Sequence, residues 1–144
     1  MTKRVSILVP CDLEFRDAVG GLVRQVCERL EEHGEPSGFA NQVISAFNEA
    51  FNNLATHGGQ GLKTRDVLVN IDISDTQLII EFQDDGESFE FKSYKIPDLT
   101  KLRESGMGLS IMRAFMDNLK YSSGDGNLAN VLRLERNLTG VGHK

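Results

Sequence analysis

At the glycine pair Gly58-Gly59 the chain begins to change its hydrophobic period, and that change limits it to a short menu of folds. Before it, apolar residues recur at steps of three and four. Phe15, Val19, Leu22, Val23, Val26, Cys27 and Leu30 make one stripe, and Val43, Ile44, Phe47, Ala50, Phe51 and Leu54 make a second. After it they alternate. Val67, Val69, Ile71 and Ile73 interleave with Leu68, Asn70 and Asp72, and Leu78, Ile80 and Phe82 interleave with Ile79, Glu81 and Gln83. The first spacing belongs to an amphipathic helix and the second to a half-buried strand. Two striped helices followed by a hairpin must bury their apolar sides against one another, which puts helices on one face of a sheet.

The rest of the chain fills in that plan. Lys3 to Val9 reads as a strand stopped by Pro10, and Asp12 can cap the helix that follows. "HGEPSG" from His33 breaks this first helix, and a second runs from about Pro36 to Thr56. "SDTQ" turns the hairpin. From Gly86 to Ser105 the pattern is irregular and mixed in charge, and connections of such length are usually functional or disordered. Met107 to Asp117 is predicted helical, and strands Leu119 to Ser123 and Leu128 to Arg136 follow, joined by "GDGN". The order β-α-α-β-β-loop-α-β-β predicts an α/β (α+β) two-layer sandwich. Three helices would cover one face of a mixed, mostly antiparallel sheet, and the other face would be polar or buried in an oligomer. Residues 1–137 are expected to form one domain and 138–144 a flexible tail.

Composition narrows the function classes. A length of 144 residues with 40% hydrophobic content suits one domain with a real core. A formal net charge of −5, from 16 basic and 21 acidic residues, argues against direct nucleic-acid binding. No apolar run is long enough to span a bilayer and the N-terminus lacks a signal-peptide pattern, so a cytoplasmic protein is expected. Cys11 and Cys27 form no CxxC pair and the three histidines show no zinc spacing.

Three stretches carry chemistry. In "NEAFNNLATHGG", Asn48 to Gly59, the residues Glu49 and Asn53 stand one turn apart on the face opposite the apolar arc. A carboxylate there can take a proton from a hydroxyl nucleophile, and an amide oxygen is a hard, neutral ligand for Mg²⁺. In "QDDGESFEF", Asp84 shares strand parity with Leu78, Ile80 and Phe82, so it ends the strand toward the helix layer. A purine's exocyclic amine would satisfy such a carboxylate, and Gly86 would let the chain approach a ring. In "ESGMGLSIMRAF", Ser105, Gly106 and Gly108 open an apolar helix, so backbone N–H groups and the helix dipole can face an anion.

The order and separation of these stretches resemble the N, G1 and G2 boxes of the GHKL ATPase family, with the ATP lid between the last two. The resemblance runs from Arg4 to Arg136, and it implies the Bergerat ATPase fold. "ESGMGLSIMRAFMDNLKY" with "DDGESFEF" looks like the bacterial anti-sigma factor serine kinases of the RsbW type. That resemblance implies a homodimer binding Mg-ATP that sequesters a sigma factor. It also implies phosphorylation of a serine or threonine on a STAS-domain anti-anti-sigma protein, in a partner-switching circuit controlling transcription. It makes Glu49 the general base, Asn53 the Mg²⁺ ligand and Asp84 the adenine contact beside Gly86. Gly106, Met107, Gly108 and Leu109, next to Ser105, become the phosphate cradle, and Arg103 and Lys101 are alternative γ-phosphate contacts. The chain departs from the pattern in three places. Ser88 stands where the second glycine of Asp-x-Gly-x-Gly is usual, Glu104 occupies the place of an arginine, and Ala129-Asn130 replaces a Gly-Thr pair. These departures motivate an alternative, a catalytically weak partner-switch module that uses ATP only as a structural ligand. A detached histidine-kinase catalytic domain is a further alternative, set back by the lack of a phospho-accepting histidine helix.

Overall fold

The computed structural model describes residues 1–57, 66–84, 108–122 and 130–139. Strand β1 (Lys3–Pro10) leads through a short 3-10 turn (Leu13–Phe15) into α1 (Arg16–Glu32), and α2 (Phe39–His57) follows. Then come β2 (Asp66–Ile73), β3 (Gln77–Asp84), α3 (Gly108–Phe115), β4 (Asn118–Ser122) and β5 (Val131–Asn137). The strands lie in the order β1-β2-β3-β5-β4, and every pairing among them is antiparallel.

The predicted alternation holds in register. Val69 pairs with Phe82, Ile71 with Ile80 and Ile73 with Leu78. Leu132 and Leu134 of β5 continue the same face opposite Phe82 and Ile80. Onto it α2 sets Phe47, whose ring centroid lies 5.5 Å from that of Phe82 and 5.9 Å from that of Phe51. All three rings are buried, so the sandwich is keyed by aromatics of α2 over the middle strand.

The turn between α1 and α2 explains why α2 starts at Phe39 and not at Pro36. Gly34 has φ 123° and ends α1 in a paired closure, with Glu35 N–H donating to Leu30 O (3.0 Å) and Gly34 N–H to Glu31 O (3.2 Å). Gly38 has φ 93°, another left-handed position, which holds the chain out of the helix until Phe39. The freed N–H of Ala40 is then met by the Glu31 carboxylate at 2.6 Å, so α1 caps α2. Asp12 does cap as expected, but its partner is Glu14 N–H in the 3-10 turn (3.1 Å) rather than α1 itself.

Helix α3 is shorter than the predicted span because Asp117 N–H donates to Glu135 O at 2.8 Å and commits the chain to β4. Arg136 locks this end. It donates to Phe115 O at 2.7 Å and to Gln42 Oε1 at 3.0 Å, and it lies 4.9 Å from the Phe39 ring centroid. Leu138 and Thr139 are held as well, through Leu138 N–H to Thr76 O and two donations from Thr139 to the buried Glu35 carboxylate.

The second face of the sheet carries polar pairs. Arg4 grips Asp72 with two bonds of 2.6 and 2.8 Å, and Ser6 donates to Asn70 at 2.6 Å. Glu135 is ion-paired with Arg133 at 2.7 Å and Lys120 at 3.3 Å. Asn70, Asp72 and Glu135 are buried, each with a polar or charged partner.

Candidate functional site

The elements that carry the predicted residues meet at one end of the sandwich. Eight residues, 58–65, separate the end of α2 from β2, and β2 begins where β3 ends, with Val67 opposite Asp84. Arg136, opposite Leu78, holds Gln42 near the start of α2, and Phe47 lies against Phe82, so the C-terminal turns of α2 lie toward the Asp84 end. Helix α3 has its last carbonyl fixed by Arg136, which pairs with Leu78 at the other end of the sheet. Its N-terminus accordingly faces the Asp84 end.

Rotation along α2 sorts its polar residues into two flanks. At about 100° per residue, Asn41, Asn48 and Asn52 fall on one flank, while Ala46, Ala50 and Asn53 fall on the other, with Glu49 between. Helix α1 covers the first flank, since Arg24 donates to Asn41 (2.9 Å) and Arg16 to Asn52 (2.8 Å). Ala46 and Ala50 are fully buried on the second flank, where α3 packs. Glu49 and Asn53 are half-buried. They stand one turn apart, Asn53 on the flank toward α3 and Glu49 on the outward face between the two flanks.

Asp84 stands at the last position of β3, at a core-face register position. Gly108 opens α3 and Leu109 follows it, and the first turn of this helix holds no acidic residue. An anion is favoured at such a terminus. The side chain of Asp84, and Gly86, Lys101, Arg103, Ser105, Gly106 and Met107, lie outside the described residues. Asn130 joins the site by register. Gln83 pairs with Val131, so Asn130 is the next residue across from Asp84. It is buried at 1% exposure and accepts from Tyr121 Oη at 3.3 Å. Sequence reading marked Asn130 only as a departure; its place beside Asp84 follows from a strand pairing that no local pattern reveals.

Among the described residues no group of three His, Cys, Asp or Glu stands together as a metal cage. A phosphate-bound Mg²⁺ takes only one or two protein oxygens, and an amide oxygen such as that of Asn53 would suit one. A cavity of about 350 Å³ lined by Arg113, Met116, Asp117, Asn118 and Leu119 lies at the opposite end of α3, away from these groups.

A polar helix face, a strand end and an acid-free helix N-terminus thus gather at one end of the two-layer sandwich. The chain belongs to the histidine kinase-like ATPase domain family, whose model matches residues 16–135. Membership of that family implies ATP as the nucleotide. The chain is also similar to anti-sigma F factors from clostridia. It is 30% identical to that of Clostridium beijerinckii over 119 residues, covering 78% of this chain and 76% of the relative. The corresponding protein of Clostridium botulinum is 28% identical over 116 residues (75% and 73% covered). That of Clostridium acetobutylicum is 34% identical over 90 residues (60% and 62% covered). No helix among the described residues is long and apolar enough to cross a membrane.

Proposed function

We propose that the protein is an anti-sigma factor that uses Mg-ATP to phosphorylate a serine or threonine of a STAS-domain anti-anti-sigma protein, and so exchanges one partner for the other. The observation that carries the reading is that Glu49 and Asn53 stand one turn apart in the turns of α2 that lie at the same end of the sheet as Asp84. The relatives' name, anti-sigma F factor, supports the sigma-factor half of the proposal.

In this reading Asn53 holds Mg²⁺, which neutralises charge on the transferring phosphoryl group when bound. The backbone N–H groups from Gly106 to Leu109 hold the phosphates, with Ser105 beside them and Lys101 or Arg103 at the γ-phosphate. Asp84 accepts from the adenine amine, and Gly86 leaves room for the ring. Glu49 takes the proton of the attacking hydroxyl. Positioning and charge stabilisation do most of the work in phosphoryl transfer, so a site of few groups suffices.

The protein acts in the cytosol as a homodimer. Strand β1 is a sheet edge with Val5 37% and Leu8 64% exposed, and an uncovered apolar edge favours strand-to-strand pairing with a second copy. The test is to mix the protein, Mg-ATP and the STAS protein encoded nearest to it. Intact mass should report one added phosphoryl group on the STAS protein, and size exclusion should report the complex before transfer.

A second reading, a switch module that binds ATP without transferring phosphate, is favoured by Ser88 and Glu104 at positions where glycine and arginine are usual. It predicts ATP-dependent binding of the partner with no change in partner mass.

A further inference from the structure

Helix α1 meets α2 along three rungs spaced four residues apart on α1. Arg24 Nη1 donates to Asn41 Oδ1 at 2.9 Å. Gly20 faces the Phe47 ring and Asn48 Oδ1, which a Cβ there would meet in ordinary contact at 3.5 and 3.7 Å. Arg16 Nη1 donates to Asn52 Oδ1 at 2.8 Å, while its Nε lies 3.2 Å from Asp17 Oδ1. The last rung is the one nearest the candidate site. Asn52 directly precedes Asn53 and follows Glu49 by three residues.

Helix ends open at little free energy unless something outside the helix holds them. The apolar stripe anchors α2 through Phe47, Phe51 and Leu54 but leaves rotation about that stripe to whatever grips its flanks. On the α1 flank, near the C-terminus of α2, Arg16 grips Asn52. A charge-assisted bond to an amide oxygen is directional where apolar packing is not. Working sites must hold their ligands to within roughly 0.5 Å, so a small rotation matters.

We propose that Arg16 is a positioning residue for the Glu49–Asn53 face: by fixing Asn52 it sets the rotation of the last turns of α2, and with it the direction in which Asn53 offers its oxygen to Mg²⁺. The proposal rests on the Mg-ATP reading above. Asn is a poor choice inside a helix, and the bond to Arg16 gives Asn52 a reason to be there.

The test titrates Mg²⁺ into the full chain with ATP and follows binding by calorimetry, for Arg16→Ala, Arg16→Lys, Asn52→Ala, the Arg16→Ala/Asn52→Ala double variant and Asn53→Ala. Arg16→Ala should raise the Mg²⁺ needed for half-maximal ATP binding by about three- to tenfold, the range of one coupled contact. Metal-free ATP binding should change by less than about twofold, Arg16→Lys should restore most of the loss, and the double variant should be no worse than either single one. Amide exchange at residues 52–55 of the nucleotide-free protein should rise in Arg16→Ala. If Arg16→Ala does not fold, Asn52→Ala carries the same expectation. Equal weakening of metal-free and metal-bound ATP, additive single effects, or a lysine no better than alanine would overturn the proposal. A silent Arg16→Ala beside a damaged Asn53→Ala condemns the role of Arg16 alone. A silent Asn53→Ala shows instead that the metal reading of α2 has failed, and the Arg16 proposal falls with it.

Discussion

At the scale of single residues, Glu49 and Asn53 are separable because they are assigned to different steps. Glu49→Gln keeps the shape and a hydrogen-bonding head but cannot take a proton, so transfer to the STAS protein should fall by about 10²–10⁴-fold while ATP affinity stays within about twofold. Radiolabel transfer and calorimetry read the two quantities, and normal transfer by the glutamine variant would remove Glu49 from the base role. Asn53→Ala should instead raise the Mg²⁺ requirement together with the KM for ATP. The two cysteines make a second pair of contrasts. Cys27 is fully buried, and burial, the first cause, pushes its thiol up to about 12, so it stays protonated and inert at neutral pH. Cys11 is half-buried at the end of β1. In the native protein an alkylating reagent should modify Cys11 first and reach Cys27 only at the rate of unfolding, as mass spectrometry of timed samples would show.

At the scale of elements, the join between α1 and α2 is a testable unit. The Glu31 carboxylate meets Ala40 N–H at 2.6 Å across the turn. Removing it as Glu31→Ala should cost about 1 kcal/mol, the usual worth of an N-terminal cap, and Glu31→Gln should cost less because the amide oxygen can still accept. Urea unfolding curves decide it; a neutral alanine variant would mean that water satisfies Ala40 equally well. This cap also shows where sequence reading stops. The helices and strands were legible because Phe47, Phe51, Val69 and Ile80 obey local periods, and Glu49 with Asn53 was legible because one helical turn fixes their relation. The cap was not, since Glu31 and Ala40 meet only after Gly34 and Gly38 turn the chain. Asn130 was noticed only as a departure, because its neighbour Asp84 is set by the β3–β5 register, and the bond from Arg16 to Asn52 joins residues 36 positions apart that no local pattern links. The one available hint was the four-residue spacing of Arg16, Gly20 and Arg24, a polar and small stripe beside the apolar one.

At the scale of the whole molecule, β1 is the part most open to its surroundings. Among the described strands it pairs only with β2, and its polar side is tied to the sheet by Arg4 on Asp72 and Ser6 on Asn70. The hydrogen bond from Arg4 holds the Asp72 carboxyl below its ordinary value, against the opposing effect of burial. A carboxyl with a lowered value in the folded state binds its proton less readily there than in the unfolded chain. Its contribution to stability is therefore complete above the unfolded value of about 4 and disappears as pH falls through the lower folded value. Acid should accordingly loosen β1 before it unfolds the core. Between pH 7 and pH 5 amide exchange at residues 4–9 should hold steady. Below about pH 4 it should quicken ahead of exchange in β3 and β5, which pair on both sides and carry Ile80, Phe82 and Leu134 into the core. Asp72→Asn keeps the side-chain shape and removes the titrating group. It should raise β1 exchange at pH 7 and flatten its dependence on acid, whereas an unchanged acid profile in that variant would assign the loosening to other carboxylates. Because β1 is also the edge offered for pairing with a second copy, the same variant should weaken the homodimer in sedimentation equilibrium if the two copies join there. A dimer as tight as the unmodified protein's, with β1 exchange raised, would move the interface away from this strand.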